Sequence, residues 1–96
     1  MEEKIYDVEF EENDNKYMVF KIEKKELKIN LSSDDQTNLR NLFYEILQLT
    51  KTCKPVFKLT DEAKKSSDVL IEEMAEAYLI DLNKEIVSII NEMPKL

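Results

Sequence analysis

The chain contains no glycine and no histidine among its 96 residues. Loops that hold nucleotide phosphates need glycine, because a side chain blocks both the backbone conformation and the close approach of the phosphate. Histidine is the commonest general base and a frequent ligand of transition metals. These two absences argue against an enzyme, so we expect no catalytic residue, no metal and no cofactor.

Cysteine is scarce as well, since Cys53 is the only one and a disulfide within the chain is excluded. Lys51 and Lys54 would favour its thiolate, but without a histidine to activate it we expect an ordinary loop thiol. The first residues are charged and acidic rather than a basic segment followed by an apolar run. This pattern predicts a mature cytoplasmic protein.

Basic residues are outnumbered, with 14 against 21 acidic residues and a net charge of −7. An acidic surface repels nucleic acid phosphates and anionic lipid headgroups. No apolar run approaches the roughly 20 residues that cross a bilayer. We therefore expect neither direct nucleic acid binding nor membrane binding, and the charge favours a basic protein partner.

Alternating polarity in the first third of the chain predicts three β-strands, over residues 4–12, 16–23 and 26–31. The side chains predicted to share one apolar face are Tyr6, Val8, Phe10, Met18, Phe20, Ile22, Leu27, Ile29 and Leu31.

Two turns are predicted to connect these strands. Asn13–Asn15 has the length of a three-residue hairpin loop, with Asn15 in the left-handed conformation that glycine usually takes. This length keeps the apolar residues on one face, whereas a one-residue slip would exchange the faces. For the second hairpin we predict a turn around residues 24–25 that pairs Ile22 with Leu27.

Two helices are predicted after the strands, over about residues 34–51 and 61–92. A capping box from Ser33 to Gln36 marks the start of the first, and Thr60 caps the second. The second helix has an apolar stripe at steps of three and four: Ile71, Met74, Ala75, Tyr78, Leu82, Ile86, Ile89 and Met93. Pro94 follows as a stop signal.

The predicted second helix is longer than a compact body of this size, about 48 Å at about 1.5 Å per residue. We expect either a break near residues 81–84 or contact between its C-terminal part and another subunit. Residues 56–59 form a short apolar segment that is either a fourth edge strand or a plug over the core.

Together these patterns predict the α+β class. We expect a single domain over residues 1–96, with a three-stranded antiparallel meander packed on one face by two helices.

Two rows of carboxylates are the candidate partner-binding residues. Asp7, Glu9 and Glu11 share one face of the first strand. Asp68, Glu72 and Glu76, with Glu73, follow one another along the second helix, where like charges at steps of four destabilise the helix. Each row is explained either by simple solubility or by binding to Lys and Arg of a partner.

A line of apolar side chains on the second helix, opposite its main stripe, is the candidate self-association surface. It comprises Val69, Ile80 and Val87, and Tyr44 of the first helix could join it. Two functions remain open. The first is an acidic protein-binding module of the inhibitor, immunity or anti-defence kind, whose carboxylates occupy the nucleic acid groove of a larger basic protein. The alternative is a structural or accessory subunit that forms a homodimer or part of a larger complex through the long helix.

Overall fold

The computed structural model describes residues 2–66 and 68–92. The elements in chain order are β1 (Glu3–Glu12), β2 (Lys16–Ile22), β3 (Lys25–Asn30), α1 (Gln36–Leu49), β4 (Lys54–Leu59), α2 (Asp61–Ser66) and α3 (Val69–Glu92). The strands form one sheet in the order β3-β2-β1-β4. The predicted α+β fold is confirmed.

The hairpin of β1 and β2 has the predicted three-residue loop, with Glu12 opposite Lys16 and Phe10 opposite Met18. The prediction for Asn15 is wrong, because Glu23 is the one residue with a positive φ in the described part of the chain. The Asn13 side chain accepts a bond from Asn15 N instead, at 3.3 Å. An Asx turn therefore replaces the left-handed residue.

The hairpin of β2 and β3 is tighter than predicted, since Ile22 pairs with Lys25 rather than with Leu27. Glu23 enters the left-handed region with φ 55°, where glycine is usual. The register differs from the predicted one by two residues, so the same side chains still face inward. The predicted register would place Lys21 opposite Lys28, whereas in the structure Lys21 pairs with Glu26, a residue of opposite charge.

Residues 54–59 form β4, which resolves the choice between a strand and a plug in favour of a strand. It lies parallel to β1, with Ile5 opposite Val56 and Tyr6 opposite Phe57. The connection from β3 to β4 includes α1, which is long enough to bring the chain back in a parallel direction.

α1 begins without the predicted capping box. Asp35, not Ser33, precedes the first helical residue, and its side chain makes no cap bond to the helix backbone. The Asp35 carboxylate instead accepts from Asn30 N at 3.1 Å and from Asn38 Nδ2 at 2.8 Å. It therefore ties the helix start to the end of β3.

The predicted long helix is divided into α2 and α3, and α3 runs unbroken through residues 81–84. Asp68 Oδ1 accepts from Leu70 N at 3.1 Å, and Asp68 O accepts from Glu72 N. These bonds make Asp68 the N-terminal cap of α3. Thr60 caps α2 as predicted, with Oγ1 3.1 Å from Ala63 N. Met93 and Pro94 lie outside the described residues.

The core lies between the inner face of the sheet and the two longer helices, α1 and α3. Phe57 is 1% exposed, and its ring centroid lies 5.6 Å from that of Tyr6 and 5.4 Å from that of Phe20. The buried helical side chains facing this cluster are Leu42, Ile46, Ala75, Leu79, Leu82 and Ile86. Met74, predicted in the stripe of the long helix, is instead half exposed.

Candidate interaction surfaces

The acidic row of β1 (Asp7, Glu9 and Glu11) lies on the outer face of the sheet, away from the helices. Two of its three carboxylates have lysine partners, one on the adjacent strand β2 and one on β3, the strand beyond it. Glu9 Oε2 lies 3.0 Å from Lys21 Nζ, and Glu11 Oε2 lies 2.6 Å from Lys28 Nζ. These ion pairs cross the sheet diagonally and reduce the negative potential of the row.

Val19 lies on the same outer face, opposite Glu9 on one side and Lys28 on the other. It is only 6% exposed although it does not belong to the core cluster. The paired lysine and glutamate side chains lie beside it, and their methylene groups can shield it from water. The ion pairs thus have a packing role on this face.

The acidic row of the long helix is divided by the break before α3. Asp68 acts as a cap, while Glu72, Glu73 and Glu76 belong to α3. Among the described residues, Glu76 is the one α3 carboxylate with a lysine nitrogen within 4 Å, Lys64 at 3.8 Å. This helix is therefore far less compensated than β1.

α3 also exposes large apolar side chains along its length. Val69 is 67% exposed, Leu70 63% and Ile80 56%. Met74 and Val87 also retain more than a third of their surface. We define the outer face of α3 as Val69, Leu70, Glu73, Met74, Ile80, Asp81 and Val87.

Two clefts flank α3 and show which of its sides face which elements. Ile80 and Asn83 line a cleft of about 450 Å³ beside β4 and α2. Tyr78 and Glu85 line a smaller one, about 180 Å³, shared with Phe43 of α1. Ile80 and α1 are therefore on opposite sides of α3. Tyr44, although 60% exposed on α1, does not extend the line of Val69, Ile80 and Val87.

The two predicted acidic rows also lie on opposite faces of the molecule. Tyr6 and Val8 point into the core with the helices, so Asp7 and its neighbours at alternate positions point outward. α3 contributes Ala75 and Leu79 to the same core from the inner side. A single binding groove cannot contact both rows across the sheet.

A polar network that the sequence did not predict joins β1 to the turn between β2 and β3. Tyr6 Oη donates to Glu23 Oε1 at 2.7 Å, and Lys4 Nζ donates to the same oxygen at 2.8 Å. The bond from Lys4, followed by that from Tyr6, lowers the pKa of Glu23. Burial, followed by the bond to Glu23, raises the pKa of Tyr6 to about 12.

A second unpredicted contact joins α3 to β4. The Asn83 carboxamide accepts from Phe57 N at 3.0 Å through Oδ1 and donates to Phe57 O at 3.1 Å through Nδ2. These are the bonds that a neighbouring strand would make. The side chain of Asn83 thus satisfies both outward backbone groups of Phe57 on the outer edge of β4.

Cys53 is 8% exposed in the connection between α1 and β4, with Sγ 3.6 Å from Leu49 O. In the described part of the chain, no three His, Cys, Asp or Glu side chains lie close enough together to hold a metal ion. Nor does any helix there have the length and apolarity needed to cross a membrane.

Comparisons with family models, with curated proteins and with solved structures found no match to this chain. Function is therefore inferred from the molecule's own surfaces. Among the surfaces that residues 2–66 and 68–92 form, the outer face of α3 is the one that combines exposed apolar area with uncompensated charge.

Proposed function

We propose that this protein is a small protein-binding module that docks on a larger, basic protein through the outer face of α3. The observation that carries the proposal is the exposure of Val69, Leu70, Met74 and Ile80 on one helix. Single exposed apolar residues are ordinary, but several that adjoin one another and are bordered by polar residues are typical of an interaction surface.

The charge of α3 selects the kind of partner. The helix contains six acidic residues but only one basic residue, Lys84. The acidic residues are Glu72, Glu73, Glu76, Asp81, Glu85 and Glu92. Lysine and arginine around an apolar groove would complement this surface. Such complementarity increases the association rate and discriminates against acidic partners.

Inhibitor, immunity and anti-defence proteins act by docking of this kind, and that class is the one we propose. Where the partner's groove normally holds nucleic acid, carboxylates of α3 would take the positions of phosphates. The ion pairs of Glu9 and Glu11 with lysines favour α3 over β1 as the binding side.

A homodimer through α3, built on Val69, Ile80 and Val87, is the competing explanation for the same apolar side chains. It would bring two strongly acidic helices together, and like charges in close contact are destabilising. Salt distinguishes the two cases. Added salt weakens attraction to a basic partner, whereas it relieves the repulsion between two acidic helices and strengthens their contact.

The test is affinity capture from cell extract with three versions of the protein. Glu73→Lys with Asp81→Lys reverses two exposed charges on α3, and Glu3→Lys with Asp7→Lys makes the same change in net charge on β1. We expect a basic partner that elutes as salt rises, is reduced about tenfold or more by the α3 variant and is retained by the β1 variant. Ile80→Ser should also weaken capture without any change of charge.

Equal losses in the two double variants would mean that net charge alone governs capture, and the proposed site would be wrong. A partner that resists high salt and ignores Ile80→Ser would contradict the proposal as well. Circular dichroism of each variant shows whether the fold is retained.

A further inference from the structure

The outer edge of β3 has backbone groups available for pairing. Leu31 N donates to Lys16 O across the β2–β3 ladder. Bonding to the neighbouring strand alternates along an antiparallel strand, so Ile29 and Leu27 bond to β2 while Glu26 and Lys28 direct their N–H and C=O groups outward. No other segment of the described chain bonds to the outward groups of these two residues.

The open part of this edge is short. The next outward residue, Asn30, already donates its N–H to the Asp35 carboxylate at 3.1 Å. Glu23 begins the turn at the other end. A strand added to this edge would therefore bond chiefly to Glu26 and Lys28.

The charge pattern of β3 fits a second copy of itself. Closed two-fold symmetry pairs a strand with its own copy in the antiparallel direction. When the axis passes beside Leu27, Glu26 of each copy lies opposite Lys28 of the other. The next registers that keep the same backbone groups bonded are shifted by two residues. One of them places Glu26 opposite Glu26, and the other places Lys28 opposite Lys28. Opposite charges on directly opposed residues stabilise a strand pair, and like charges destabilise it.

We propose that two copies of this chain associate through β3 in that register and form a continuous sheet from the two four-stranded sheets. About four backbone hydrogen bonds join the copies, two from each Glu26–Lys28 pair. Leu27, which is half-buried, meets its counterpart on the inner face. Lysine on an edge strand usually discourages pairing, but here each lysine has a glutamate opposite it.

The contact is small beside the roughly 1,600 Å² of a standard stable interface. We therefore expect an equilibrium between monomer and dimer that depends on concentration. Because the two-fold axis is perpendicular to the sheet, both helix layers lie on the same side. The dimer would leave both outer faces of α3 open, so it goes beyond the proposed docking and does not depend on it.

Charge-swap variants test the dimer by sedimentation velocity over a range of protein concentrations. Glu26→Lys sets lysine against lysine, and Lys28→Glu sets glutamate against glutamate. We expect each single change to weaken association about tenfold or more, because two cross-strand pairs turn from attraction to repulsion. The double variant with both changes should associate like the unmodified chain.

Mixing the two single variants supplies a second, independent readout. The Glu26→Lys chain carries two lysines on the edge and the Lys28→Glu chain two glutamates, so they should form a heterodimer although each alone is weakened. Lys28→Glu also removes the ion pair to Glu11, and urea denaturation of each variant measures that effect on the fold separately.

The proposal is overturned if the unmodified chain stays monomeric at its highest soluble concentration. It is equally overturned if the unmodified chain forms a dimer and the single changes weaken it, but neither the double variant nor the mixture of single variants recovers the association. Glu73→Lys with Asp81→Lys on α3 should leave the dimer unchanged, which separates this proposal from the docking function.

Discussion

The two edge strands of the sheet, β3 and β4, differ in what their outer backbone groups bond to. On β4, Pro55 has no N–H to satisfy and both backbone groups of Phe57 are bonded by Asn83. On β3, the outward groups of Glu26 and Lys28 are exposed to solvent. The edge of β4 is thus closed at Phe57 by a side chain of the same molecule, whereas the edge of β3 remains able to accept a strand.

The two edges also differ in how deeply their outward residues are buried. Phe57 is 1% exposed, so unbonded backbone groups there would lack both protein and water partners. Glu26 and Lys28 are exposed, and water satisfies their outer groups at little cost. The buried backbone groups of Phe57 therefore require a bonding partner within the protein, whereas those of Glu26 and Lys28 do not.

The largest effect should come from Asn83→Asp, which disrupts the bonds to the backbone of Phe57. The aspartate still accepts from Phe57 N, but it sets a second oxygen against Phe57 O where Asn83 donated. We expect a loss of about 2–4 kcal/mol in the free energy of unfolding, because a buried carbonyl loses its partner and faces a carboxylate. Urea denaturation measures the loss.

Asn91→Asp is the matched control, because Asn91 is an exposed asparagine of the same helix. It should cost less than about 0.5 kcal/mol, from the helix dipole alone. If the two variants were equally stable, the Asn83 bonds would contribute nothing. Amide exchange at Phe57 gives a local check, and it should accelerate only in Asn83→Asp.

A smaller effect is expected at the turn that begins β3, where Tyr6 bonds to Glu23. Tyr6→Phe removes that hydrogen bond and should cost about 1 kcal/mol. Tyr44→Phe, at an exposed position, should be neutral within error. Urea denaturation at neutral pH compares them.

The pH dependence sharpens this test. The pKa of Tyr6 is raised to about 12 in the folded protein, against about 10 for a tyrosine in an unfolded chain. As the pH rises, Tyr6 therefore loses its proton in the unfolded state before it does so in the folded state. Its contribution to the free energy of unfolding is complete below pH 10 and declines as the pH rises toward 12. Tyr6→Phe should remove the corresponding late step from the phenolate absorbance titration. A titration identical to that of Tyr44→Phe would contradict the assignment.

The smallest effect is expected at the far end of β3, from Asp35→Ala. Hydrogen bonds from Asn38, followed by the backbone of Asn30, lower the pKa of Asp35. Its contribution is therefore present above the unfolded pKa of aspartate and lost as the pH falls through the lower folded value. Asp35→Ala should remove this acid-sensitive component and accelerate amide exchange at Asn30. Asp34→Ala, the neighbouring control, should leave the Asn30 amide unchanged.

The sequence predicted the parts of the fold that depend on local periodicity. Alternating polarity identified the inward residues of the first three strands, and the loop length fixed the pairing of Phe10 with Met18. The second hairpin was mispredicted because a shift of two residues keeps every side chain on its face, so the polarity pattern does not distinguish the registers.

The helix break was missed although its signal was present. Asp68 follows two serines, and these residue types favour caps over helix interiors. The apolar spacing continues across the break, and it outweighed the capping signal in the prediction. Periodicity alone therefore overestimates helix length where one apolar face is shared by consecutive helices.

The candidate surfaces were predicted in part. The exposure of Val69 and Ile80 follows from helical spacing. The ion pairs of Glu9 and Glu11 are diagonal contacts that depend on the register of three strands. The contact of Asn83 with Phe57 spans 26 residues, and no local pattern indicates it.

That separation in sequence has a consequence for the order of folding. The strands β1 and β4 can pair before α3 docks, and the outward backbone groups of Phe57 are then bonded only by water. A partly folded chain of this kind has a second open strand edge through which it can associate with other chains. Docking of α3, which brings Asn83 to Phe57, closes that site.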